Sequence, residues 1–220
     1  MNILLVAAAA KEIGPFFEYY RDSKRVQNID ILITGIGLTA ATYHLLKQIN
    51  LKRPDLVIQA GVAGCFDKKI PLGTVVIIKK EAIADQSVVV PTAIGIKKLR
   101  TLFDLRLIPH DQFPFRNGWL ENDHDILKKS KLKKVNAISV NEITTTRQRV
   151  KFYRDSFKPV TESMEGAALH YTCLMENVPF IQLRSISNYI AERDKKKWDM
   201  KKSIINLNKE LISLIETWIS

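Results

Sequence analysis

Glutamate 165 and the pair Ser187–Asn188 stand at the ends of two apolar runs, in the segments ESMEGAA (162–168) and RSISN (184–188). A carboxylate can hold a proton or steady a positive charge, and an amide can donate and accept at once. Two such ends place both groups where one small polar ligand touches them. The plain alternative for Glu165 is a first-turn acid, favoured by the helix dipole by about 0.3–1 kcal/mol. What argues for a site is company, because other segments also end in polar or glycine residues where strands should stop. The first apolar run leads to Glu12, the second to TGIG with Gly35 and Gly37, and the third to AGVAG with Gly61 and Gly64. Later runs lead to Asn141, Glu142, Glu165 and Asn188.

Continuous apolar runs alternate with amphipathic ones, the order of an α/β fold in which helices cover a mostly parallel sheet. Strands are expected at about 2–8, 29–34, 55–60, 73–84, 135–140 and 179–187, and helices at about 11–22, 38–49, 166–177 and 200–219. In the last helix Ile204, Leu207, Leu211, Leu214, Ile215 and Trp218 form an apolar stripe with Lys, Asn and Glu opposite. Ala167, Ala168, Leu169, Tyr171 and Leu174 supply an apolar face after Glu165. The stretch from about 86 to 134 has no steady period and is expected to form loops over the site. Ligands of such folds bind beyond the carboxyl ends of the strands. Glycines there let a backbone approach closely, although GIG alone also suits a tight turn and is not the dinucleotide fingerprint GxGxxG.

The chain has 220 residues, 46% hydrophobic and 26% charged, which suits a single globular domain with a sizeable core. The opening run ILLVAAAA is too short to span a bilayer and lacks a basic lead-in, so a soluble, cytoplasmic protein with no membrane partner is expected. Cys65 and Cys173 lie in apolar surroundings and are expected to be reduced core residues. His44, His110, His124 and His170 have no zinc-ligand spacing, and neither a metal nor a cofactor is expected. The formal charge of +11 raises nucleic-acid binding, through KKSKLKK (128–134) and DKKKWDMKK (194–202). Acids or apolar residues interrupt both runs and no nucleic-acid motif accompanies them, so no nucleic-acid partner is expected. A basic surface still attracts anionic small molecules.

Taken in order and spacing, ILLVAAAAKEI, TGIGLTAA, AGVAG, ESMEGAA and RSISN resemble the nucleoside phosphorylase and nucleosidase superfamily over nearly the whole chain. Within it the chain is most similar to the methylthioadenosine/S-adenosylhomocysteine nucleosidases and to the futalosine hydrolases of menaquinone biosynthesis. The resemblance implies one domain over 1–220, a three-layer sandwich with a central mixed, mostly parallel sheet, acting as a homodimer or higher homo-oligomer on a small purine nucleoside. By it Glu12 matches the acid that activates water, Glu165 binds the ribose hydroxyls and Met164 packs on the sugar. Gly35, Gly37, Ala63, Gly64, Asn141, Glu142, Ile143 and Ser187 fall in the segments that line the substrate site. Such roles suit N-glycosidic cleavage, in which one carboxylate steadies an oxocarbenium-like sugar and another takes a proton from water.

The adenine-cleaving relatives carry an aspartate where this chain has Asn188. An amide is no general acid, but it can serve the O6 and N7 edge of a 6-oxopurine, as in the 6-oxopurine phosphorylases that this chain resembles at that position. Glu142 is the expected acceptor for the purine N1–H, with a solvated loop acid as its alternative. No arginine lies between Arg53 and Arg100 to clamp phosphate near the glycine segments, and Glu12 would repel that anion, so water is the expected nucleophile. Arg147 and Arg149 are candidates for an anionic substrate tail, and Phe103, Phe113, Phe115 and Trp119 for an apolar subsite. The expected activity is futalosine hydrolysis. The alternatives are another purine nucleosidase or phosphorylase, or a non-catalytic nucleotide or nucleic-acid binder.

Overall fold

A computed structural model describes residues 1–21, 28–91 and 97–219. The chain opens with β1 (Ile3–Ala7), a 3₁₀ turn (Ala10–Glu12) and α1 (Gly14–Arg21), then β2 (Ile29–Ile33), α2 (Leu38–Leu51) and β3 (Leu56–Cys65). Next come β4 (Val75–Ile83), a hairpin of β5 (Ser87–Pro91) and β6 (Lys97–Thr101), the short β7 (Phe115–Arg116) and β8 (Trp119–Glu121), and β9 (Lys134–Ser139). The last part holds α3 (Arg147–Phe157), β10 (Thr161–Ser163), α4 (Gly166–Met175), β11 (Phe180–Tyr189) and α5 (Met200–Ile219).

The main sheet runs β2-β1-β3-β10-β9-β4-β8-β7, with β11 bridging β3 and β4. Those pairings close β3, β10, β9, β4 and β11 into a ring. It is the expected mixed, mostly parallel sheet: β2, β1, β3 and β11 run together, as do β10, β9 and β4, and antiparallel pairings join the two groups.

Strand β1 is apolar at every position because it is buried on both faces. Ile3, Leu5 and Ala7 join Phe16 of α1 and Leu207, Leu211 and Ile215 of α5 in one core layer. Leu4 and Val6 point the other way, against Leu45 and Ile49 of α2 and Leu169 and Cys173 of α4. Each fully buried side chain of this kind stabilises the fold by about 1.5–3 kcal/mol. Cys65 and Cys173 are free and buried, as expected. No helix among the described residues is long and apolar enough to cross a bilayer.

Several expectations are corrected. The first helix is preceded by a separate 3₁₀ turn, and residue 22 of its expected range lies outside the described residues. The α5 stripe is buried at Leu207, Leu211, Leu214 and Ile215, while the side chain of Trp218 lies outside the described residues. Asn208, expected on the polar face, is 1% exposed. Its Nδ2 donates to Glu12 O (2.8 Å) and its Oδ1 accepts from Phe16 N (3.0 Å), so α5 anchors the turn that carries Glu12. Helix α4 is buried nearly all round, with Tyr171 alone of its expected apolar face turned outward at 37% exposure. AGVAG is part of β3 rather than a loop after it. Described residues of 86–134 extend the far edge of the sheet through β8 and β7 and do not line the principal cavity.

Candidate active site

At the carboxyl ends of β1, β3 and β11 lies a cavity of about 300 Å³. Glu12, Ala63, Gly64, Ile143, Met164, Glu165, Ser187 and Asn188 all line it, so five separated segments of sequence converge there. Glu12 is 7% exposed and both its oxygens accept backbone hydrogen bonds, Oε1 from Val62 N (3.0 Å) and Oε2 from Ala9 N (3.1 Å). Two bonds leave carboxylate lone pairs unused.

Glu165 occupies the N-cap position of α4, yet its side chain makes no capping bond. Its Oε1 accepts from Gly37 N (3.1 Å) and its Oε2 lies 3.7 Å from Arg184 Nη2. This answers the first-turn alternative, since the carboxylate reaches across to another strand end. Gly37 has φ +96° and Gly35 φ +79°, the left-handed region that favours glycine. Their turn therefore holds Glu165 in place, and neither lines the principal cavity.

Arg184 was not singled out from the sequence, because an arginine reads by default as a surface residue. It is 1% exposed, and its Nη2 also donates to Gln59 Oε1 (2.7 Å). Gly61 makes room for it: a Cβ there would collide with Arg184 Nη1 and stand 3.0 Å from Glu12 Oε1. Glu81, fully buried, belongs to the same charged layer. Burial pushes its carboxyl up to about 7, opposed by the Arg184 charge and by Ser139, whose hydroxyl donates to Glu81 Oε1 at 2.9 Å. The Gln182 amide faces it without a hydrogen bond of good geometry, and both amide atoms lack partners.

Ser187 and Asn188 sit at a bulge in β11, where the register against β3 shifts between Ile186 and Asn188. Ser187 Oγ donates to Asn188 Oδ1 (2.9 Å), and Asn188 Nδ2 donates one hydrogen to Tyr189 O (3.2 Å). The second N–H of that amide is left for a ligand. A side chain at Gly64 would crowd it, since a Cβ there falls 3.3 Å from Asn188 Nδ2.

Other expected residues lie elsewhere. Asn141 lines a neighbouring recess with Ile36, Gly37 and Met164. Glu142 is 71% exposed and pairs with Arg149 at 3.3 Å, so it is the solvated loop acid and does not line the cavity. That pair also occupies Arg149, and Arg147 lies outside the cavity. Phe103 packs on Phe115 and Trp119 on Phe157, and Phe113 stands 66% exposed, so no apolar subsite forms from them in the chain. Two further carboxylates not expected from sequence also line the cavity: Glu192, and the buried Glu162, 6% exposed, with Thr144 beside it. Burial pushes the Glu162 carboxyl up. Lys11 and Arg193 stand exposed at the rim.

The sequence pattern of the Phosphorylase superfamily matches residues 7–220. The chain belongs to that family. Among curated relatives, the 5'-methylthioadenosine/S-adenosylhomocysteine nucleosidase of Buchnera aphidicola is 26% identical over 193 residues, covering 81% of this chain and 73% of that protein. The Staphylococcus aureus protein of the same name is 26% identical over 78% of this chain and 73% of its own. The solved futalosine hydrolase of Helicobacter pylori superimposes with TM-score 0.79 at 20% identity, over 99% of this chain and 98% of that one. The Helicobacter pylori methylthioadenosine/S-adenosylhomocysteine nucleosidase gives TM-score 0.78 at 20% identity, over the same shares of the two chains. At these identities the solved structures establish the fold.

Proposed function

We propose that this chain is a purine nucleosidase that hydrolyses the N-glycosidic bond of a 6-oxopurine nucleoside, with futalosine as substrate and hypoxanthine and dehypoxanthine futalosine as products. The observation that carries the choice of base is Asn188. Its carbonyl is held by Ser187 and one N–H by Tyr189 O, which leaves the other N–H of this cavity-lining amide to donate to a ligand. A 6-oxopurine offers O6 and N7 to such a donor, and an amide cannot supply the ring proton that an aspartate would.

In this reading Glu12 takes the proton of the attacking water while Glu165 holds the ribose hydroxyls and its charge steadies the developing sugar cation. Arg184 and Gly37 N fix the Glu165 carboxylate, and Met164 packs on the sugar. Water is favoured over phosphate because Arg184, the arginine beside Glu165, is buried, hydrogen-bonded to Gln59 and ion-paired with Glu165, and because Glu12 repels an anion. Lys11 and Arg193 at the rim suit an anionic substrate tail, in place of Arg147 and Arg149. Exposed Ile36 (68%) and Tyr43 (61%) beside the site supply an apolar face for a homodimer or higher oligomer, in a cytoplasmic setting for menaquinone biosynthesis.

A second reading, methylthioadenosine/S-adenosylhomocysteine nucleosidase, is favoured by the names of the curated relatives. Cleavage in ¹⁸O-labelled water tests the hydrolytic step. Label at the sugar C1 hydroxyl with no phosphate in the buffer supports it, and a sugar phosphate formed only when phosphate is added refutes it.

A further inference from the structure

A buried polar layer lies against Glu165, and catalysis as described uses only its arginine. Glu81 of β4, Ser139 of β9, His170 of α4 and Gln182 and Arg184 of β11 are each at most 1% exposed. Ser139 Oγ ties Glu81 to the first turn of α4, donating to Glu81 Oε1 (2.9 Å) and accepting from Ala167 N (2.8 Å). Gly166, which follows Glu165 in the chain, has no room for a Cβ, because Glu81 Oε2 and Gln182 Nε2 fill that space. Glu81 is thus packed directly behind the residue assigned to the ribose. Gln182 in turn interacts with His170, whose Nδ1 meets Leu120 O at 3.0 Å.

A carbonyl only accepts, so His170 Nδ1 carries a hydrogen. A neutral ring then leaves Nε2 as an acceptor that calls for the Gln182 NH₂, which turns the Gln182 carbonyl toward Glu81, where it needs an O–H. An ionised Glu81 calls for the NH₂ instead, and the carbonyl then faces a ring that must carry a second proton. One proton therefore belongs to the pair. The two ends of an amide have the same shape, so the partners set its sense. Both arrangements have the same net charge, but the second buries two more charges. Burial opposes each of them, pushing Glu81 up to about 7 and His170 down to about 4. Ser139 already donates to Oε1, so the proton of a neutral Glu81 sits on Oε2.

We propose that Glu81 is a positioning residue of this site: as a carboxylic acid donating to the Gln182 carbonyl, it leaves Arg184 to Glu165 alone and so holds the Glu165 carboxylate where it meets the ribose; the inference rests on the nucleosidase reading above. The charged groups that face Glu81 are Arg184 of β11 and Glu165 at the head of α4, with His170 beyond Gln182. Arg184 Nη2 reaches Gln59 Oε1 (2.7 Å) and Glu165 Oε2 (3.7 Å). An ionised Glu81 would compete for that cation and repel Glu165. Either effect loosens the ribose contact, so substrate binding weakens as Glu81 loses its proton.

The test is the pH profile of KM and kcat for base release, with futalosine, inosine and methylthioadenosine as substrates, in the whole protein and in Glu81→Gln. Wild-type KM should rise about tenfold as pH passes upward through about 7, the effect of weakening one hydrogen bond to a charged group, with kcat changing far less. Glu81→Gln keeps an acceptor for Ser139 and a donor for the Gln182 carbonyl but cannot ionise, so its KM should stay flat through the same range. Infrared spectra of the wild type should show a protonated-carboxyl component that fades over that range and is missing from Glu81→Gln. A flat wild-type KM, or the absence of that component below pH 7, overturns the inference without any variant. A rise of the same size in Glu81→Gln overturns it too, and leaves the nucleosidase reading standing. No base released from any of the three nucleosides overturns both.

Discussion

Replacing Glu12 by glutamine separates its chemistry from its place in the fold. Each carboxylate oxygen accepts one backbone N–H, from Val62 and from Ala9, so an amide satisfies one and turns an NH₂ toward the other. One lost bond with a buried donor left unpaired costs about 1–3 kcal/mol. A domain of this size stands roughly 5–15 kcal/mol above unfolding, so the variant should fold. Its Tm should fall by about 2–4 °C for each kcal/mol lost. Catalysis should suffer far more, because an amide cannot take the water's proton. Loss of a general base lowers the rate about 100- to 10,000-fold, or about 3–5 kcal/mol of barrier. The assay is base release at saturating substrate, well below the melting transition, with KM from the same curves. The expected result is a collapse of kcat with KM held within about threefold. If the folded variant keeps kcat within about threefold of wild type, Glu12 only ties the 3₁₀ turn to β3 and the reasoning fails.

Asn188→Asp keeps the bond from Ser187 but sets a carboxylate oxygen against Tyr189 O and the purine edge, so kcat/KM for futalosine relative to its adenine analogue should fall about 5- to 150-fold. An unchanged ratio removes Asn188 from base choice. Arg184→Met leaves Glu165, Glu81 and Gln59 without their cation and should destabilise the fold by about 3–5 kcal/mol in urea unfolding, and a loss below about 1 kcal/mol contradicts the buried network. Stability should also report Glu81 and His170 through pH. Burial raises Glu81 from 4.5 to about 7, so its contribution is full below 4.5 and lost as pH rises to about 7. Burial lowers His170 from 6.5 to about 4, so its contribution is full above 6.5 and lost as pH falls to about 4. The two act with opposite sign and so offset one another across that window. Glu81→Gln removes one side, so its urea midpoint should fall steadily from pH 7 to 4.5, and a flat profile for that variant refutes the assignment.

The elements legible in the sequence are those whose burial leaves a period or an unbroken apolar run. ILLVA in β1 reads as a strand because both its faces are covered, and the α5 leucines read as a stripe because one face meets β3 and β11. Helix α3, RQRVKFYRDSF, leaves no apolar stripe in the sequence, since it lies on the surface and only Tyr153 is fully buried. Strand β10 has three residues, too few for alternation to show. In AGVAG the glycines signalled a loop, whereas they are strand residues kept bare so that Arg184 and Asn188 can lean over them. At the site, Glu12, Glu165 and Asn188 were legible because they end apolar runs. Arg184 and Glu162 were not, because their roles come from pairing across strands distant in sequence: Arg184 with Gln59, and Glu162 with Gly64 and Thr144. Local context could not distinguish Glu142 from Glu162. One ends in solvent beside Arg149, and the other in the cavity wall.

The most direct measurement is a substrate panel: pure protein with futalosine, inosine and methylthioadenosine, each with and without phosphate, read by chromatography of the free bases. Hypoxanthine should appear fastest from futalosine, at a rate indifferent to phosphate, with adenine from methylthioadenosine far behind. Rapid release of adenine with futalosine left intact, or hypoxanthine released only when phosphate is present, would contradict this assignment.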